Sequence, residues 1–346
     1  MTTFAGSLPQ RAVVSRSRAC RPTTLDGRSR RADTRPVLAH WDEVEPFRRE
    51  KGPMAAAWQR LGDAAGARGV GVNRVRVEPG RLSTPPHSHG LSEEIFFVLD
   101  GSGLSWQDDT VCEVGAGDTI VHLADREEHT LRAGPEGLDY LVFGTRHPEE
   151  YAWLPRSRAL RFGYVWTEGC DDDPWDVESE VGELEFAEPG ERPSNVVAFD
   201  DVPFDEDGDK LLGEAAGSMR SGLNWIRREA GRRGSVPHCH SLESEAFVVL
   251  DGGGSVELWP TPLTASRGAT LESYELRAGH VIVRPAGTRV AHSIKAGASG
   301  ITYLAYGTRE PNDICFYPRS NKVYFRGVGL MTRLDHLAYE EGEPDD

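Results

Sequence analysis

The 346-residue sequence predicts an all-β protein of two tandem barrels, and three observations carry that prediction. Long blocks of the chain recur at a fixed offset, so one ancestral domain is written twice. The strand-like runs are short and close in Asp-Gly or other glycine-rich turns. Long stretches of helical periodicity are absent.

Residues 61–73, LGDAAGARGVGVN, return at 212–224 as LGEAAGSMRSGLN, an offset of 151. The same offset carries EIFFVLDGSG (94–103) onto EAFVVLDGGG (245–254). It widens to 163 where YLVFGTRHPEEYAWLPRS (140–157) meets YLAYGTREPNDICFYPRS (303–320), so the second copy has gained 12 residues. Most of them fall within 259–276, where Pro260 and Pro262 break the strand pattern and predict a longer hairpin loop. Two copies are too few for a stacked array, and each is long enough to stand alone.

Taken in order, residues 1–35 hold eight arginines against Asp26 and Asp33 and lack a secretory apolar core, which predicts a disordered basic tail. That Arg/Ser-rich start is similar to an organelle transit peptide, while the cytoplasm is the default expectation. Barrel 1 is expected over 36–167, with a short helix at Ala55–Leu61 and strands at Val72–Glu78, Ile95–Leu99 and Leu138–Phe143. Residues 168–193 predict a self-repelling acidic linker lying over the surface, with eleven acidic side chains and no Lys or Arg between Glu168 and Glu191. Barrel 2 follows over 194–346, with strands at Leu223–Arg228, Ala246–Leu250, Val281–Arg284 and Ile301–Tyr306 and a frayed acidic C-terminus.

Composition narrows the function. The net charge is −16, and the +6 of residues 1–35 leaves −22 on the rest. A surface that acidic repels phosphate backbones, which argues against nucleic acid as a partner. No run of eighteen apolar residues exists to form a membrane span. The five cysteines, Cys20, Cys112, Cys170, Cys239 and Cys315, form no CxxC pair and fit a reducing compartment.

The chemistry lies in the histidines. His87 and His89 stand two apart, as do His238 and His240, and in a strand that spacing puts both imidazoles on one face. Glu94 and Glu245 follow five residues later, and His129 and His292 lie further on, each after a turn. Three imidazoles and one carboxylate converging from adjacent strands suit one divalent transition metal per barrel: Fe, Mn, Zn, Ni, Co or Cu. A single HxH is more often a plain surface or core pair. Recurrence of all four residue types, in order, in both copies weakens that bland reading. Cys239 falls between two of these histidines, so alternation turns it to the opposite face as a bystander, and Ser88 holds the matching place. His40, His122, His147, His280 and His336 read as ordinary surface or loop histidines. Phe96, Val98, Phe247 and Val249 share the glutamate face and read as barrel packing. Asn73 and Asn224 recur at one strand position and read either as ligand-orienting groups or as turn hydrogen bonds; Arg284 and Arg289 lie near His292 and could meet a carboxylate.

Gly80, His87, His89, Glu94 and Gly101, repeated as Gly231, His238, His240, Glu245 and Gly252, resemble the first motif of the cupin superfamily. Gly279, Pro285, Gly287 and His292 resemble its second motif. The first copy departs there, with Leu123-Ala124-Asp125 in place of the Pro-x-Gly turn ahead of His129. The resemblance covers roughly 60–157 and 211–320. It implies tandem jelly-roll (double-stranded β-helix) barrels, a bicupin, with the better-formed site expected in the second copy. It admits metal-dependent oxidoreductases of the dioxygenase kind and decarboxylases acting on small oxygenated or carboxylic substrates. Isomerases or epimerases and non-catalytic binders are the alternatives, and a homodimer is compatible with all of them. No helix-turn-helix accompanies the barrels, which argues against gene control.

Overall fold

The computed structural model describes residues 38–335 apart from Asp109, Tyr164 and 167–172, together with Leu337, Glu341 and Gly342. The expected basic tail at 1–35, Cys20, Cys170 and His336 lie outside the described residues. Each copy forms a large antiparallel sheet faced by a smaller one of four strands. In the first copy the large sheet is centred on the long hairpin-forming strands Glu94–Gln107 and His129–Thr145, flanked by Val70–Val77 and Met54–Gln59 on one side and Thr119–His122 on the other. Glu245–Pro260, Val290–Thr308, Ser221–Arg228 and His280–Arg284 repeat that arrangement in the second.

Period-two alternation sorts the glutamate strand into two cores. Phe96 and Val98 point into barrel 1 against Ile120, Leu131 and Tyr140, and Phe247 and Val249 do the same in barrel 2. Ile95 and Phe97 point the other way, into a cluster shared with Val248, Val281 and Leu304 of the second copy. Both faces of the strand are thus buried, which explains why it reads as an unbroken apolar run rather than an alternating one. Phe143 and Tyr306, equivalent residues of the repeat, stack on each other across that shared core at 5.3 Å between ring centroids.

The strand after each glutamate bends at a register shift, between Gly101 and Gly103 in one copy and Gly252 and Gly254 in the other. Gly101 has φ +81°, and a Cβ on it would lie 2.3 Å from the Gly137 carbonyl oxygen; Gly252 repeats this at φ +72° and 2.4 Å from Gly300. The motif glycine is there because no side chain fits the bulge.

Three features depart from the sequence reading or exceed it. The expected helix at Ala55–Leu61 is mostly the strand Met54–Gln59, followed by a single helical turn, Leu61–Ala64. Pairing on both sides, with Phe47–Lys51 and Val70–Val77, overrides the helix propensity of the alanines. The copies also exchange arms. Leu38–His40, ahead of barrel 1, pairs with His280–Arg284 of barrel 2, while Val196–Val197, ahead of barrel 2, pairs with Thr119–His122 of barrel 1. Finally, the acidic linker is not self-repelling throughout. From Asp173, which caps it, a helix runs Pro174–Val181 and lies on a basic face of barrel 1, with Asp173 on Arg49, Asp176 on Lys51 and Glu178 on Arg156.

Candidate metal centre

Backbone pairing brings the first and last histidine of each set together. His87 and His129 exchange both main-chain hydrogen bonds, at 3.2 and 2.9 Å, and His238 and His292 do the same at 3.2 and 2.8 Å. Glu94 begins its strand across from both. Its Oε2 stands 3.2 Å from His129 Nε2 and 3.4 Å from His89 Nε2. One ligand atom each from His87, His89, Glu94 and His129 lies within 4.8 Å of every other.

The outward nitrogens explain the ring orientations. His87 Nδ1 sits 2.9 Å from the Pro85 carbonyl oxygen and His129 Nδ1 3.4 Å from that of Glu127. His89 Nδ1 faces Glu150 Oε1 at 3.5 Å. For His87 and His129, tying Nδ1 as donor leaves Nε2 with its lone pair toward the site, the tautomer a metal requires.

Barrel 2 repeats the scheme with a difference. His238 Nδ1 meets the Val236 carbonyl at 2.8 Å and His240 Nδ1 meets Asp313 Oδ2 at 2.6 Å. Only His238, Glu245 and His292 close as a group within 4.8 Å; His240 Nε2 lies 3.6 Å from Glu245 Oε2 and groups separately with His238 and Cys315. The compact four-residue set is therefore in barrel 1, although the intact Pro-x-Gly turn is in barrel 2.

Asp125 accounts for barrel 1 managing without that turn. It adopts the left-handed φ of 56° and donates its N–H to the His89 carbonyl at 2.7 Å, as Gly287, at φ 68°, does to His240 at 2.9 Å. Aspartate is among the few residues that visit this region without large cost.

The comparisons with known proteins bear on the fold. The cupin domain family matches residues 73–142, a span that holds His87, His89, Glu94 and His129. No curated protein matches the sequence. Among solved structures, the chain is similar to the oxalate decarboxylase of Lactobacillus farciminis in its formate complex, at 14% identity and TM-score 0.54, over 79% of this chain and 86% of that one. A deletion mutant of Bacillus subtilis oxalate decarboxylase matches at 13% identity and TM-score 0.53, over 78% and 76%. Both are likenesses of fold.

The fold is that of a bicupin.

The donor set of each barrel fits a metal. His292 Nε2 and Glu245 Oε2 are buried and lack a hydrogen-bond partner, although they stand only 3.0 Å apart; bare buried polar atoms facing one point are the mark of a missing cation. Burial pushes His87 down to about 3, helped by His129 and His89, and pushes His129 and His292 down to about 4. These rings stay neutral at pH 7, the form that ligates. Burial opposes charge on His89 as well, but the Glu94 and Glu150 carboxylates outweigh it and raise it to about 10. Burial likewise opposes ionisation of Glu94, but His89 and His129 hold it well below the usual carboxylate range.

A cavity of about 300 Å³ opens over the barrel 1 set, lined by His87, His89 and Asn73, with Trp58, Trp175 and Arg60 among its other walls. Trp175 comes from the linker helix. Its ring meets Trp58 edge-on at 5.7 Å and carries the Arg49 guanidinium 4.1 Å above it. Asn73 thus lies where a bound molecule would meet it.

Several residues escaped the sequence reading. Glu150 and Asp313 occupy equivalent places in the 140–157 and 303–320 repeat blocks, and that shared acidic position was the available signal. His122 is no surface histidine. It is buried, stacked on His129 at 3.7 Å and 5° between planes, and 3.1 Å from Glu127. His40 is buried too, with its Nε2 2.9 Å from the Ala278 carbonyl and its ring edge-on to His280. Arg284 takes the place of His122 in barrel 2, opposite Glu245, and is buried with its guanidinium on the Val290 carbonyl at 2.8 Å. Cys239 pairs with Phe316 and belongs to none of the potential ligand groups, as alternation predicts.

Proposed function

We propose that this bicupin binds one divalent transition metal in each barrel and that barrel 1 is the reacting site, acting on a small carboxylic substrate as a decarboxylase or dioxygenase-like enzyme. The ligands are His87, His89, Glu94 and His129 in one barrel and His238, His240, Glu245 and His292 in the other. The observation that carries the reading is the compact four-donor set of barrel 1 facing a 300 Å³ cavity. The oxalate decarboxylase fold of its structural neighbours supports a carboxylic substrate.

A metal held there would supply a Lewis acid for a substrate oxygen, or a redox centre. The protein's own groups do the rest. Arg60 and Arg161 line the cavity with positive charge in a chain whose net charge is −16, which selects anions at the mouth. Trp58 and Trp175 wall the cavity with apolar surface and keep water from the substrate's far side. Glu150 holds the His89 ring in register through Nδ1.

The test is elemental analysis of protein purified without chelator, followed by carbon dioxide release and oxygen uptake with oxalate and larger carboxylates. Two metals per chain and turnover lost in His129→Ala are expected. A metal-replete preparation that carries no metal ends the reading. Turnover that persists in His129→Ala and stops in His292→Ala moves the reaction to barrel 2.

A further inference from the structure

We propose that Cys315 is a ligand of the barrel 2 metal, giving that centre a thiolate that barrel 1 lacks. The inference rests on the metal-binding reading above and concerns only what completes the second site.

Cys315 lies in the strand Ile314–Tyr317, directly across from His240. Residues opposite each other in antiparallel strands share a face, so its side chain is turned to the same side as that imidazole. Its Sγ lies within 4.8 Å of a ligand nitrogen of both His238 and His240. The thiol is buried and forms no disulfide. The repeat supplies an internal control. The equivalent residue of barrel 1 is Ala152, likewise directly across from the second histidine, His89. Ala152 offers no donor and is part of the cavity wall. Where barrel 1 leaves open space beside its ligands, barrel 2 places a sulfur.

The second observation concerns the other donors. In barrel 1 Glu94 Oε2 and His129 Nε2 stand 3.2 Å apart. In barrel 2 the matching atoms, Glu245 Oε2 and His292 Nε2, stand 3.0 Å apart, both buried, but make no well-aligned hydrogen bond. That site holds closely spaced buried donor atoms and a thiol at its edge. A cation there would displace the thiol proton to solvent, one proton per metal bound, and take the sulfur as thiolate. A soft donor added to the imidazoles shifts preference toward zinc, cobalt or copper and away from manganese. It also fills a position that a substrate would need, which is the pattern of a structural rather than a catalytic site. The two barrels then divide the work: an open centre in the first, a closed one in the second.

Cobalt distinguishes the cases. Metal-free full-length protein is titrated anaerobically with Co(II) while bound metal is counted. We expect two cobalt ions per chain, with thiolate-to-cobalt charge-transfer absorption in the near ultraviolet developing with only one of them. Cys315→Ser should abolish that absorption and Cys239→Ser should leave it. In the unsubstituted protein, cobalt X-ray absorption should show sulfur at about 2.3 Å, a readout that survives if the variant does not fold. Two bound ions with no charge-transfer band and no sulfur scatterer would overturn the proposal while leaving the metal reading intact. A band that persists in Cys315→Ser would overturn it as well. A single ion per chain, unaffected by His292→Ala, would remove the second centre and this proposal with it.

Discussion

At the scale of single residues, most of the candidate imidazoles are oriented by the group behind them. A carbonyl or carboxylate on Nδ1 sets every imidazole whose partner is described: Pro85 for His87, Val236 for His238, Asp313 for His240. The His-x-His and glutamate pattern was legible because strand alternation alone places it. Glu150 and Asp313 were not, since they reach the histidines from loop positions just ahead of the neighbouring strands Tyr151–Leu154 and Ile314–Tyr317, some sixty and seventy residues away in the chain. Burial of neutral rings has a pH consequence. Below the ordinary histidine value of 6.5 the unfolded chain binds protons that folded His87, His129 and His292, at about 3 to 4, do not. Stability of the metal-free protein therefore falls with falling pH from about 6.5 to 4. His89, raised to about 10, acts in the other window: its contribution is complete below 6.5 and lost as pH climbs toward 10. Urea midpoints in the presence of chelator should thus peak near pH 6.5, and added metal should flatten the alkaline side. The left-handed Asp125 gives a second residue-scale prediction. Asp125→Gly should keep metal and stability, whereas Asp125→Val should cost about 1–2 kcal/mol by denaturant unfolding and weaken metal retention in barrel 1.

Among the elements, the linker helix is the one whose place changes the reading of function. Its acidity looked like self-repulsion in isolation, because the Arg49, Lys51 and Arg156 it meets are scattered in sequence. The more exposed pairs with Arg49 and Lys51 contribute little by themselves; what seats the helix is the buried Glu178 on Arg156 and Trp175 between Trp58 and Arg49. Trp175→Ala should leave the metal count unchanged and widen the barrel 1 cavity. We expect a several-fold rise in KM for the substrate with a smaller change in kcat, readable by steady-state kinetics. An equal fall in kcat with KM unchanged would instead place Trp175 at the chemical step. The alanine-rich strand Met54–Gln59 makes the complementary point, because three consecutive alanines carry no period and only their two neighbouring strands decide their shape.

Over the whole molecule, the two barrels are not independent beads. Their glutamate strands bury outer faces in one shared cluster, and each barrel's sheet is extended by an arm from the other copy. Glu93 ties them further: it is fully buried and accepts the main-chain N–H groups of Met219, Arg220 and Ser221, at 2.8, 3.1 and 3.0 Å. Calorimetry should accordingly show a single transition rather than two. Glu93→Ala, which strands the buried Ser221 N–H and frees two half-buried main-chain donors, should lower stability by about 1–3 kcal/mol, and Phe143→Ala by about 3–5 kcal/mol. A clean two-step melt would show that the shared core couples the barrels less than its burial implies.

What the amino-acid order determined by itself was the duplication, the all-β barrels and the pattern of eight candidate ligand positions, because each is written in local spacing: a repeat offset, a two-residue alternation, a glycine at a bulge. Only the tertiary structure decided how unequal the two centres are. Asp125 standing in for Gly287, Trp175 walling one cavity, and Cys315 facing His240 where Ala152 faces His89 all depend on segments far apart in the chain. Spacing along a strand fixes which face a side chain occupies, but what waits on that face is set by packing.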